Sequence, residues 1–296
     1  MNRVSTSYQY NSAQSQIQKS GNAYFAAQRR VSTGRRINEL GDDPTGVSNV
    51  ISMSSVKAGL AQFSSNLDRA KSRFVSTENS FTEVTTLLNR ANALTVSGAT
   101  ATIGQNERQA MASEMTSIRD RLVQLGNTKD ANGDYIFSGT AAKTLPFTVA
   151  SGVITYNGDL GTSKVEAAPG QTMDLSLPGT QTFFTTAFDT LTSTITALQN
   201  NDTATLSNTS LTNIQASLVS SSLNRGEIGN RVRTVMDYQS DQTRRIEELT
   251  KGVSDVTDVD LAQAITDYQS AQTAYQAALQ MAAQGNKLSL MDFIRG

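Results

Sequence analysis

Hydrophobic positions recur at alternating intervals of three and four along most of this 296-residue chain. Near the start, Tyr10, Ala13, Ile17, Ser20, Tyr24, Ala27 and Val31 alternate large with small side chains until Gly34 offers a C-terminal stop. Two residues per heptad make the narrow seam of a coiled coil, not the broad face of a globular helix. In the loop that follows, Asp43 suits a helix N-cap and Pro44 the first helical position, so Asp42, Asp43 and Pro44 are expected to form a turn. The rhythm then restarts at Met53 and continues through Val56, Leu60, Phe63, Leu67, Ala70, Phe74, Thr77, Phe81, Val84, Leu88 and Ala91. At 1.5 Å per residue that stripe is roughly 58 Å long. A helix of that length needs a partner along it.

Partners are present in the sequence. Met111, Met115, Ile118, Leu122 and Leu125 form a shorter stripe; Ile228, Val232, Val235, Gln239, Gln242, Ile246, Leu249, Val253 and Val256 form another. Leu261, Ile265, Tyr268, Gln272, Tyr275, Leu279, Ala282 and Asn286 make the last. The chain thus begins and ends in coiled-coil helix, which predicts an antiparallel helical rod built from N- and C-terminal segments. Tyr10, Ile17, Tyr24 and Val31 are expected to face Leu261, Ile265, Tyr268, Tyr275 and Leu279. Both terminal seams carry small or polar residues (Ser20, Gln272, Asn286). Each large side chain buried gains about 1.5–3 kcal/mol, against an ordering cost of about 1–2 kcal/mol per residue. The ends are therefore expected to order when copies pack together.

The middle differs. Pro146, Pro169 and Pro178 fall here, and Gly133–Phe137 and Gly152–Gly158 alternate like short strands between turn residues. Helical spacing returns over Thr182–Asn200 and from Thr203 onward. The expected fold is mainly α with a small β insertion: residues 1–41 with 255–296 as paired terminal helices, 42–130 with 182–254 as the helical rod, and 131–181 as an outer β-rich domain.

Composition narrows the chemistry. With no His and no Cys, the Ser-His and Cys-His nucleophile pairs are absent, as are the usual zinc and haem ligands. No catalytic residue, cofactor or metal is expected. Asp130, Asn132 and Asp134 match the first ligands of an EF-hand loop, but Tyr135 stands where glycine is needed and Ala141 where glutamate is needed. Ser138 before Gly139 lacks the first glycine of a nucleophile elbow. A net charge of −1 leaves no basic footprint for nucleic acid, and the Arg29-Arg30 and Arg35-Arg36 doublets read as solvated helix-face charge. No run of apolar residues is long enough to insert in a membrane. The N-terminus has no apolar core for a cleavable signal peptide, so the expectation is a cytoplasmic chain or one exported by a dedicated machine. Only 17% of residues are charged, a surface suited to close packing against other copies.

One stretch, Asn127 to Phe147, carries a resemblance. NTKDANGDYIFSGTAAKTLPF is similar to the pattern that flagellar hook-associated protein 3, a flagellin-related family of hook-filament junction proteins, shows where helical rod meets β domain. Ser32-Thr33-Gly34-Arg35-Arg36-Ile37-Asn38 followed by Asp42-Asp43-Pro44 resembles the family's "STG-(K/R)-R-I-N … DDP", where flagellins more often carry "SSG" and "DDAAG". Leu288 to Ile294 looks like its C-terminus, with Arg295-Gly296 a small departure. The resemblance implies a structural protein of the extracellular flagellum. Terminal helices would form an inner tube, longer helices its wall, and the β domain would face outward. Its partners would be copies of itself in a ring, another hook-associated protein on the hook side and flagellin on the filament side. It also implies export unfolded by the flagellar type III apparatus, and the amphipathic segment Leu261–Ile294 would suit an export chaperone. Gly133 and Gly139 would permit the turns of the hinge between rod and outer domain. Two other readings share the helical pattern: a flagellin filament subunit and, from another class, a signalling coiled coil. The β insertion lies where a signalling hairpin would place its tip, which counts against the second of these.

Overall fold

The computed structural model describes residues 6–150, 152–177 and 180–294. Pro178, Arg295 and Gly296 lie outside the described residues, as do the side chains of Asn286 and of Leu288 to Ile294. Among the described residues, seven α-helices and four short strands follow one another as α1 (Thr6–Thr33), α2 (Pro44–Ala99), α3 (Gln105–Gly126), β1 (Phe147–Ala150), β2 (Val153–Tyr156), β3 (Lys164–Ala168), β4 (Gln171–Asp174), α4 (Thr180–Gln199), α5 (Thr203–Thr205), a π-helical turn (Leu206–Ser210), α6 (Leu211–Thr257) and α7 (Leu261–Ile294). The chain is mainly α with a small β insertion, as its periodicity predicts.

Backbone contacts divide the chain into two compact units, one of residues 1–59 and 245–296 and one of residues 60–244. The division falls inside α2 and α6, away from the Gly34–Asp43 loop. Chain punctuation suggests a border near residue 41, yet the helices run unbroken past the point where the packing changes.

In the unit of residues 60–244 the stripe on α2 is buried as expected: Leu67, Phe74, Phe81, Val84 and Leu88 are fully enclosed. The α3 stripe (Met115, Ile118, Leu122, Leu125) and Ile228 and Val235 of α6 belong to the same core. Arg90 binds Glu114 at 2.6 and 2.9 Å, and Arg121 binds Glu83 at 2.7 Å, tying α2 to α3 on the exposed side. The largest side chains gather where α4 meets the insertion, with Phe81, Phe137, Phe147, Phe183, Phe184 and Phe188 in ring contacts of 4.9–6.1 Å. A second tie lies at the far end of α2. The buried Arg108 donates to the carbonyls of Gly98 and Thr100, each at 2.8 Å, and to the side-chain oxygen of Asn201, a residue at φ +59°. A cation at carbonyls ending a helix suits the negative end of its dipole.

The insertion holds two separate antiparallel hairpins. β1 pairs with β2 in the register Phe147↔Tyr156, and β3 with β4 in the register Lys164↔Asp174. Gly133–Phe137 is not a strand: it forms turns with one isolated bridge, Lys129↔Tyr135. Side chains take the ladder's place there. Asp130 accepts from the amides of Asn132 and Asp134 at 2.8 and 3.1 Å, which curls the backbone.

Candidate functional site

Two places carry the residues singled out in the sequence. The first is the terminal helix pair. α1 packs antiparallel along α7, and Tyr24 lies between Tyr268 and Tyr275 with ring centroids 5.5 and 5.8 Å apart. The Tyr24 and Tyr268 hydroxyls share a 3.3 Å hydrogen bond, which with partial desolvation raises the Tyr24 pKa above its usual value. Gly21 lies under the Tyr275 ring, where an added Cβ would come within 3.3 Å of it.

On α1, Ile17, Tyr24 and Val31 are half-buried and Ser20 and Ala27 are buried, while Tyr10 is 59% exposed. On α7 the seam runs through Ala264, Tyr268, Ala271, Tyr275, Ala278 and Ala282. Leu261, Ile265 and Leu279 do not pair with α1 as the sequence suggests. They are 54%, 43% and 43% exposed on an adjoining face. Hydrophobic size alone points to the wrong face, because the α7 seam alternates alanine with tyrosine. The signal was present as alanine and tyrosine alternating through two heptads.

The loop Gly34–Asp43 and the short link from α6 to α7 form one joint. Gly34, at φ +67°, ends α1 and accepts from the Val259 amide at 3.1 Å; the Arg36 amide donates to the Thr257 carbonyl at 2.7 Å. The Arg36 guanidinium reaches the Val256 carbonyl at 2.9 Å and the Asp43 carboxylate at 3.1 Å. Asp43 caps α2 by accepting from the Gly46 amide at 2.9 Å, and Pro44 is the first residue of that helix. Asp42 accepts from the amides of Asn38 and Glu39 at 2.9 and 3.0 Å. Those amide bonds hold the Asp42 pKa below the usual carboxylate value. The Gly46 amide and then Arg36 do the same for Asp43, and the Ser254 and Thr257 hydroxyls for Asp258.

The second place is Asn127–Phe147. Its two ends are clamped together: the Asn127 side chain donates to the Phe147 carbonyl at 2.8 Å and accepts from its amide at 2.9 Å, imitating a strand pair. Between them Arg73 of α2 enters. Its guanidinium meets the Asp130 carboxylate at 3.2 Å and the Ile136 carbonyl at 2.9 Å, with both charged side chains under 10% exposed. This cation holds the carboxylate and carbonyl that an EF-hand would turn toward calcium. Gly133 and Gly139 take φ of +78° and +74°, and Gly139 is also crowded by the Asp159 backbone and carboxylate. The glycines make turns of a pinned segment. No group of three or more His, Cys, Asp or Glu arranged to hold a metal occurs among the described residues.

Residues 4–142 match the model of the bacterial flagellin N-terminal helical region. The chain is 26% identical to the flagellar hook-associated protein 3 of Escherichia coli over 97% of its own length and 98% of that protein's. It is 29% identical to the Salmonella typhimurium protein of the same name over 61% of this chain, a match spanning little more than half of that relative (56%). Among solved structures, Bacillus cereus FlgL is 26% identical and superimposes with a TM-score of 0.60 over 69% of this chain and 99% of its own. Residues 4–142 are thus similar to the bacterial flagellin N-terminal helical region, and along nearly its whole length the chain is similar to the flagellar hook-associated protein 3 of Escherichia coli.

Proposed function

We propose that the chain is a structural subunit of the bacterial flagellum, copies of which form a ring joining the hook, through another hook-associated protein, to the first flagellin subunits. The observation that carries this reading is the end-to-end likeness to the Escherichia coli protein. In this arrangement α1 and α7, paired within each chain, line the inner tube. The long helices form its wall, and residues 131–181 face outward. Tyr10, Leu261, Ile265 and Leu279, exposed in the single chain, meet neighbouring copies, while Ile17, Tyr24, Val31, Tyr268 and Tyr275 hold the pair together. The subunit works by packing, without catalysis. It leaves the cell through the flagellar export apparatus, and a cytoplasmic chaperone covers α7 before export.

The match to the flagellin helical region favours one other reading, a filament subunit. Deleting the gene in its host separates the two. Bare hooks with flagellin released into the medium support the junction reading. Bare hooks without released flagellin make the chain the filament subunit, and normal filaments overturn both.

A further inference from the structure

The seam between α1 and α7 is poorly specified by its own residues. On α7, Ala264, Tyr268, Ala271, Tyr275 and Ala278 repeat the same pair of side chains at an interval of seven. Sliding α7 outward by one heptad, about 10 Å, puts Tyr268 where Tyr275 stood, Ala264 where Ala271 stood and Leu261 where Tyr268 stood. Ala264, Ala271 and Tyr268 each land on a residue of their own kind and Leu261 takes a large position; the mismatch falls at the far end, where Tyr275 would take the place of Ala282. Such a seam tolerates slippage, as repetitive coiled coils do unless a specific group fixes their register.

Yet one register runs the whole length of the pair. Val259 bonds Gly34, Tyr268 meets Tyr24 further out, Tyr275 covers Gly21, and Ala278 and Ala282 face Tyr8 and Ala13 across a shared cavity of about 380 Å³. The seam itself offers one contact that a slip would lose, the Tyr24–Tyr268 hydroxyl bond, which Leu261 could not replace; the joint offers several that cannot be repeated one heptad away. Arg36 has an amide bonded to Thr257 and a guanidinium spanning the end of α6 and the cap of α2. Three residues, Asp258 to Asp260, separate α6 from α7, so while the joint is closed they leave no slack for a slip.

We propose that the Arg36-centred joint sets the register of the terminal helix pair, and that the seam only propagates it. The inference concerns the single chain and does not depend on where in the flagellum it sits. Because the chain has no cysteine, introduced pairs report register directly. Gly21→Cys with Tyr275→Cys reports the register described above; Gly21→Cys with Tyr268→Cys reports the slipped one. Mild oxidation of the full-length protein and peptide mass mapping quantify each disulfide. With Arg36 intact, the 21–275 pair is expected to form at least tenfold faster than 21–268. Arg36→Gln, and separately Val259→Pro, which removes the bonded amide without touching the seam, should bring the two rates within about threefold of each other. Arg36→Lys should restore most of the preference. Retention of the tenfold preference in both joint variants would place register in the seam and overturn the proposal. Loss of both disulfides there would mean that the joint is needed for pairing itself, which overturns it equally, as would equal rates in the intact chain.

Discussion

Replacing Arg73 with methionine is expected to cost the unit of residues 60–244 about 3 kcal/mol. Methionine keeps most of the apolar stem in place, so the loss is that of the guanidinium. Its removal leaves the Asp130 carboxylate, with a side chain 9% exposed, without a cation, and it orphans the Ile136 carbonyl that Arg73 reaches at 2.9 Å. Breaking one side of a buried pair costs about 3–5 kcal/mol. The lower end applies because Asp130 still accepts from the amides of Asn132 and Asp134. For a unit of this size each kcal/mol lowers Tm by about 2–4 °C, hence a fall of about 6–12 °C. Circular dichroism through thermal and urea unfolding of the full chain measures it. Arg73→Met combined with Asp130→Asn should recover about 2 kcal/mol, since the amide oxygen can keep the two backbone donors without a buried charge. A loss under about 1 kcal/mol for the single variant, or strictly additive losses in the cycle, would refute the assignment of the pair as the insertion's anchor.

Gly139→Ala should destabilise more than Gly133→Ala. Both lose about 1 kcal/mol to positive φ, but only Gly139 has Asp159 against the new methyl; equal melting temperatures would count against this. The joint should weaken in acid. Asp42, Asp43 and Asp258 have folded pKa values below the unfolded value of 3.8, so the stability they add is present above that value and is lost as pH falls through the lower folded values. Hydrogen exchange at the Arg36 and Val259 amides, corrected for the intrinsic rate and followed from pH 5 to pH 2, reads this, and a flat profile would contradict it. At the other extreme, Tyr24 has a folded pKa raised above 10.0. Pairing of α1 with α7 should therefore be intact below pH 10 and weaken as pH rises through the folded value, with Tyr24→Phe removing that part of the alkaline loss. Finally, Ile17→Asp with Leu279→Asp should abolish incorporation into flagella while residues 60–244 keep their melting transition; normal incorporation would sink the proposed role of the terminal pair.

The long stripes were legible because large side chains point inward on α2, α3 and α6, where burial favours size. Leu67, Phe74, Phe81 and Leu88 announce themselves by spacing alone. Two arginines did not. Arg73 sits beside the α2 stripe, where a periodicity reading assigns solvent, and Arg108 continues the α3 stripe three residues before Met111, where it assigns an apolar side chain; each is buried because backbone outside its own helix supplies its acceptors. No local signal marks such a residue, since the side chains that complete each site, Asp130 and Asn201, lie 57 and 93 positions away. The Gly133–Phe137 stretch misled for a related reason. Its alternation is that of a strand, but Asp130 captures the amides that a ladder would need, so short-range side-chain chemistry outweighs pattern.

The α7 seam misleads in a way that bears on function. A helix that buried Leu261, Ile265 and Leu279 against α1 would make a more stable isolated pair than one that buries alanines. The chain instead turns its small residues inward and leaves Tyr8, Tyr10, Phe25, Leu261, Ile265, Leu279 and Met281 between 43% and 68% exposed. At about 25 cal/mol per Å² of apolar surface, covering the exposed half of each such side chain is worth about 1 kcal/mol, or roughly 7 kcal/mol per subunit. That is comparable to the whole stability of a small domain, and it becomes available only when other copies cover these faces. In the proposed ring, the seam would hold two helices in register and the outer faces would supply the energy of assembly. Leu261→Ala with Ile265→Ala should then leave the 21–275 disulfide preference of the single chain unchanged while weakening incorporation into flagella; loss of that preference would return those two residues to the seam.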